Sequence, residues 1–289
     1  MPTTSLPYQR RLVARRPFLA ALCLTPALFG QTPTSRRDMW IAFQGWMRSN
    51  AADRRARQDS NGRRDTPEET MARYRKFLAS QGKSTAEVEA HVEVLLDRSP
   101  AGRKDQMDYF WEWAGRLPAG ERFRVTPSVW LVNCVKDVRP GKALDLGLGS
   151  GRNSLFLRRQ GWDVTGVDQS ESGIAQARMQ AESEGLTYKT IAADIDTWDF
   201  GREQWDLIAA IYGPDPRWAG RIHEALKPGG LLVAVNGAVG PEKVENRVLT
   251  PFLRLRVLRY EEQLTRPDYD PVGDETALRR EQRLFAQKV

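Results

Sequence analysis

Histidine and cysteine are nearly missing from this 289-residue chain. His91 and His223 are the only histidines, and Cys23 and Cys134 the only cysteines. No CxxC or HExxH spacing occurs, so a zinc centre is not expected and no metal ligands are assigned. Cys23 lies in a segment that export could remove. Cys134 alone cannot close an intrachain disulfide, so cysteine usage does not mark the compartment. No apolar run is long enough for a transmembrane span, and no internal repeat is visible.

What is abundant is positive charge, at +7 overall with a pI of about 9.6. It is unevenly placed: residues 1–64 hold 12 arginines against three aspartates, which leaves the rest slightly acidic. Basicity confined to one end, outside the expected catalytic region, argues against a nucleic-acid partner. The first 37 residues read as a signal-like segment. A basic start precedes an apolar stretch of about 14 residues, too short for a span and suited to a signal core. "ARRPFLA" is similar to a twin-arginine export signal, which implies an exported, periplasmic protein. The alternative is a cytoplasmic protein whose translation starts near Met39.

Residues 38–137 read as a helical N-terminal region. Trp40, Phe43, Trp46 and Met47 share one helical face. Thr66-Pro67-Glu68-Glu69 and Ser84 to Glu87 are capping boxes that open two helices. Met107, Phe110, Trp111 and Ala114 mark another, and Thr126-Pro127 opens one more. Residues 54–65, charged and poor in apolar side chains, read as a linker or mobile loop. Phe123, Arg124 and Pro127 are placed to form a lid edge.

From residue 138 strands and helices alternate. Strands are expected at 143–146, 163–167, 188–192, 205–212 and 231–236, with helices at 154–160, 172–184 and 217–226. The nearly all-apolar 205–212 reads as a strand buried on both faces. Two late strands, about 253–260 and 282–289, can pair antiparallel at the sheet edge. The fold class is α/β: a doubly wound, mostly parallel, Rossmann-like sheet with an antiparallel edge strand and a helical extension. Its ligand is expected at the carboxyl ends of the first strands.

The turn after the first of these strands reads Gly147-Leu-Gly149-Ser-Gly151-Arg152. The dinucleotide fingerprint needs a small residue at its sixth position, where Arg152 stands, so NAD and FAD are disfavoured. No Gly-Lys-Ser/Thr follows the turn, so it is not a P-loop. A GxGxG turn remains, with Asp168 at the end of the second strand about 20 residues on, the spacing of a ribose-binding acid. Glycines at 147, 149 and 151 let the backbone approach a ligand closely.

Together "LDLGLGSGRN…GWDVTGVDQS", "AADI", "WDLIAAIY" and "LKPGGLLVAV" resemble class I S-adenosylmethionine-dependent methyltransferases. The wording is nearest to the tellurite-resistance/thiopurine-type small-molecule branch. The resemblance covers roughly residues 140–289 and implies S-adenosyl-L-methionine as cofactor, with S-adenosyl-L-homocysteine as product. Carried over residue by residue, it places Asp145 near the methionine moiety, Asp168 at the ribose hydroxyls, Asp194 at the adenine amino group and Ile195 against the ring, with Gln169 a further cofactor-binding residue. Arg152 and Asn153 match the family's turn-to-helix residues. Asp196 and Asp199 are rivals for the place of Asp194. "LKPGG" is a structural turn in either reading.

Methyl transfer from a sulfonium is an in-line displacement with a good leaving group, so positioning dominates. Acceptor contacts are expected after the fourth strand, at Tyr212 and Asp215, with Arg217 beside them. "YGPDP" matches neither the D/N-PP-Y/F pattern nor a histidine base, which points to a small, soft or acidic acceptor. His223 reads as structural. Trp111 and Trp113 read as packing residues, closure over a ligand being the other possibility. The competing readings are a non-catalytic cofactor-binding module with a partner-binding helical region, and a protein or nucleic-acid methyltransferase with the basic N-terminus as an arm. A NAD-dependent reductase is opposed by Arg152 and by the lack of a Tyr-x-x-x-Lys motif.

Overall fold

The computed structural model describes residues 35–50, 65–118, 125–237, 248–265, 268 and 279–289. The signal-like segment, nearly all of the 54–65 linker and the lid residues Phe123 and Arg124 lie outside the described residues. Among those described, no helix is long and apolar enough to cross a membrane.

Among the described residues four helices come first: α1 (Arg36–Ser49), α2 (Pro67–Ser80), α3 (Thr85–Leu96) and α4 (Pro100–Gly115). Both capping boxes form, with Thr66 and Glu69 closing one and Ser84 and Glu87 the other. The start of α4 carries a signal of the same kind, Ser99 as N-cap followed by Pro100. Trp40, Phe43 and Trp46 of α1 pack with Met71, Tyr74 and Leu78 of α2 and with Val88, Val92 and Leu95 of α3. These aromatic contacts give the helices their own core. Ser35 caps α1 upstream of Met39, and Arg36 pairs with Asp97 and Asp105.

The sheet follows α5 (Val129–Val135). Its elements are β1 (Lys142–Leu146), α6 (Arg152–Arg159), β2 (Asp163–Asp168), α7 (Glu171–Ser183), β3 (Lys189–Ala192), β4 (Trp205–Ile211), α8 (Ala219–Ala225), β5 (Leu226–Gly237), β6 (Arg256–Thr265) and β7 (Arg279–Gln287). The strand order is β3-β2-β1-β4-β5-β7-β6. The first five strands are parallel, and β7 pairs antiparallel with both β5 and β6. The expected antiparallel pair therefore forms the sheet edge, with β7 inserted between β5 and β6. Both faces of β4 are covered. Ile208 and Ala210 join one apolar cluster, Leu207, Ala209 and Ile211 the other, as its near-continuous apolar sequence requires. Chain order reverses between β1 and β4, the switch point where such sheets bind ligands.

Several boundaries differ from the sequence reading: the late strands run over Arg256–Thr265 and Arg279–Gln287 instead of about 253–260 and 282–289, and two further differences have a local cause. The residues expected to begin α8 form a short 3-10 turn, Pro216–Trp218, because Asp215 caps it by accepting from the Arg217 N–H at 2.8 Å. The Lys-Pro-Gly-Gly stretch bulges out within β5, where pairing jumps from Leu226 to Leu231. Gly230 has no room for a side chain there: a Cβ would sit 2.9 Å from the Trp205 carbonyl.

The third glycine of the turn, Gly151, has a φ of 84° and lies against α7. A Cβ there would collide with the Tyr188 hydroxyl and come within 2.6 Å of Ala177 Cβ. Gly151→Ala is expected to cost about 1–3 kcal/mol through backbone strain and overpacking. Urea unfolding checks this, and an unchanged midpoint refutes the packing role.

Candidate active site

A cleft of about 510 Å³ opens at the carboxyl ends of β1, β2 and β4. Ten of the anticipated residues line it: Gly147, Gly149, Arg152, Asn153, Asp168, Gln169, Asp194, Ile195, Tyr212 and Asp215. Asp145 and Gly151 do not line it and lie behind its wall.

The floor is the glycine turn, and Asp168 holds it in place. One carboxylate oxygen accepts the Gly149 N–H at 2.7 Å and the other accepts the Ser170 N–H at 2.8 Å. The group is 6% exposed, and burial raises its pKa above the usual carboxylate range against the pull of these N–H donors. Each oxygen keeps a further lone pair, which suits a pair of ribose hydroxyls. In the loop after β3, Asp194 Oδ1 accepts the Asp196 N–H at 2.9 Å, leaving its other oxygen for a donor such as an adenine amino group.

Beneath the turn, Asp145 accepts the Ser154 hydroxyl at 2.7 Å. Burial pushes its pKa up to about 6, offset in part by Ser154 and Arg152. Asp145 therefore steadies the start of α6 from below. Arg152 is drawn away from the cleft centre: its guanidinium donates to the Thr126 carbonyl at 3.0 Å and to Asp268 at 2.8 Å. Asn153 accepts the Ser128 N–H at 2.9 Å, tying α5 to the turn.

At the other end of the cleft Tyr212 takes a φ of 65°, a conformation that side chains rarely adopt. Its hydroxyl lies 2.8 Å from Glu281 and 3.1 Å from Asp268. Burial and these two carboxylates push its pKa far up, so the phenol stays protonated. Asp215 is held below the usual range by hydrogen bonds from Arg217, whose guanidinium also reaches Asp196 at 2.9 Å. Both anticipated acceptor residues thus face the cleft, and neither is a base poised near neutral pH.

The sequence reading favoured a packing role for Trp111, and the structure gives it two. It packs on Gly149 and Gly173, where a Cβ would lie 2.6 and 3.0 Å from its ring, and it also lines the cleft with Met107, Phe110 and Arg103. Helix α4 is fixed in that position by Asp108, which accepts from the Ser170 hydroxyl at 2.9 Å and the Ser172 N–H at 3.1 Å. Trp218 and Asp196 also line the cleft. Asp196 was visible only as a rival of Asp194, and nothing in local sequence marked Trp218. His223 lies on α8, away from the lining residues.

Residues 143–230 match the family described as "Methyltransferase domain". With this sheet order and a cleft at its switch point, the chain carries a methyltransferase domain over these residues. Over 80 residues it is 40% identical to the probable S-adenosyl-L-methionine-dependent methyltransferase TehB of Haemophilus influenzae, which is 28% of either chain. Hemagglutinin 1 of Eikenella corrodens is 32% identical over 139 residues, 46% of this chain and 43% of that protein. The crystal structure of TehB from Haemophilus influenzae aligns with 55% of this chain and 61% of its own, at 26% identity and a TM-score of 0.48. The chain thus spans less than half the length of these two curated relatives.

The raised pKa of Asp145 has a measurable consequence. The folded state holds this proton more tightly than the unfolded state. The stabilisation is full below about pH 4 and is lost as pH rises to about 6. Relative to Asp145→Asn, the wild type should lose about 3 kcal/mol across that window and nothing further above it. Urea midpoints of both proteins from pH 4 to 7 check this, and parallel curves would refute it.

Proposed function

We propose that the chain is a methyltransferase that delivers the methyl group of S-adenosylmethionine to a small acceptor, and that the acceptor supplies its own nucleophile. The observation that carries this reading is the joining of two sets of residues in one cleft. The cofactor set (Gly147, Gly149, Asp168, Gln169, Asp194, Ile195) and the acceptor set (Tyr212, Asp215, Arg217, Trp218) share one space of about 510 Å³, within the range of small-molecule sites. Bound there, the cofactor supplies a sulfonium methyl with a good leaving group.

The protein's part is positional. Asp168 and Asp194 offer carboxylate oxygens to ribose and adenine donors, and the glycine turn lets the backbone pass close to the amino-acid end. Met107, Phe110 and Trp111 of α4 close the side and limit water. No imidazole can act as base, since His91 is buried in α3 and His223 sits on α8, away from the cleft. Cys134 is buried in α5 with its thiol pushed up to about 12. Asp215 remains ionised beside Arg217, and Tyr212 remains protonated. Thiols and soft metalloid anions need no base, so they suit such a site. Arg103, at the α4 side of the cleft, offers a negative acceptor its counter-charge.

Calorimetric titration of the full chain should show micromolar affinity for S-adenosylmethionine and none for NADH. Asp168→Ala should weaken the first by about 2–3 kcal/mol, the scale of lost charge-assisted hydrogen bonds. Binding without transfer of a labelled methyl group to thiols or metalloid oxyanions would leave a cofactor-binding module. With active acceptors, the pH profile of transfer should shift from one acceptor to the next with the acceptor's own pKa. A single limb common to all acceptors would reveal a base on the protein and defeat the second half of the reading.

A further inference from the structure

The loop after β3 reads Asp194-Ile195-Asp196-Thr197-Trp198. Asp194 starts the turn: its carbonyl accepts from the N–H groups of Thr197 at 3.1 Å and Trp198 at 2.8 Å, while its side chain accepts from Asp196. Three later carbonyls of the loop converge on one residue of α8. Arg221 donates to the Ile195 carbonyl at 3.0 Å, to the Asp196 carbonyl at 2.9 Å and, through its other terminal nitrogen, to the Trp198 carbonyl. Its guanidinium lies 3.9 Å from the centre of the Phe200 ring. The side chain of Asp196 is gripped by Arg217 and by the Trp218 indole N–H at 2.8 Å.

Arg221 does not line the cleft. It reaches the loop from behind with a planar fork that a lysine cannot reproduce, since an ammonium is a single point of donation. The loop thereby takes one shape, with Asp194 and Ile195 presented to the cleft and the Asp194 carboxylate half used by its own turn. We propose that Arg221 is a positioning residue for purine recognition: by clamping three loop carbonyls, it aims the open oxygen of Asp194 so that the site accepts a 6-amino purine and rejects a 6-oxo purine. This rests on the reading of the cleft as an adenosine site. The chemical reason is directional. A carboxylate oxygen welcomes an amino donor and repels a carbonyl oxygen, and a site built on such a contact discriminates only while the acceptor is held in place.

The test compares S-adenosylhomocysteine with its 6-oxo analogue, S-inosylhomocysteine, by calorimetry on the full-length wild type, Arg221→Met and Arg221→Lys. The lysine variant keeps a charge and an aliphatic stem over Phe200, so it guards against a methionine variant that does not fold. The wild type should prefer the amino ligand by about 10-fold or more, the scale of a charge-assisted bond. In both variants the preference should fall below about 3-fold, mainly through weaker binding of the amino ligand. A general loss of structure would weaken both ligands alike and leave their ratio unchanged. A wild type that binds neither ligand removes the adenosine site itself. A wild type that discriminates, beside a folded variant that discriminates equally well, overturns the role of Arg221 and leaves the site standing.

Discussion

A buried carboxylate at the end of β2 accepts one backbone N–H from the glycine turn and another from the start of α7. Through these two bonds Asp168 joins the loops after β1 and β2 into one floor. The floor then constrains its neighbours. Gly149 cannot carry a side chain because Trp111 lies on it, and Gly151 cannot because α7 and Tyr188 lie against it. The arrangement costs desolvation of an anion, visible in the raised pKa of Asp168, and two N–H donors offset part of that cost. What it gains is a carboxylate already fixed when a ligand arrives.

The far end of the cleft is built from charges that neutralise one another. Arg217 sits between Asp215 and Asp196, and Arg152 reaches Asp268 beside the Tyr212 hydroxyl. Paired in this way, Asp215 remains ionised and the Tyr212 phenol remains protonated. The site can orient and shield an acceptor, and neither Tyr212 nor Asp215 is suited to take a proton near neutral pH. A methyl transfer that asks mainly for alignment fits such a surface.

The helical region gains a role from one contact. Asp108 of α4 accepts from Ser170 and Ser172, at the start of the helix that follows Asp168. The helix that closes the cleft and the acid that anchors its floor are therefore one serine apart. The aromatic core of α1 to α3 supports α4 from the other side, with Arg37 of α1 paired to Glu112.

Local sequence carried the sheet and the floor of the site. Strand and helix periods, two capping boxes, the GxGxG turn and the acid at its expected distance all follow from short-range rules, because each element's apolar face and each turn's backbone demands are local. The ten lining residues foreseen at 147–153, 168–169, 194–195, 212 and 215 lie at strand ends for that reason. Tertiary structure decided the rest. Whether Trp111 packs or lines a cleft depends on what stands opposite it, and here that is a glycine. Arg152 begins a helix in the sequence, but its guanidinium is committed by Asp268, 116 residues away. Arg221 is an ordinary helical arginine until three carbonyls from another loop meet it. Such assignments need side chains distant in the chain to arrive within hydrogen-bond reach, and only folding brings them there.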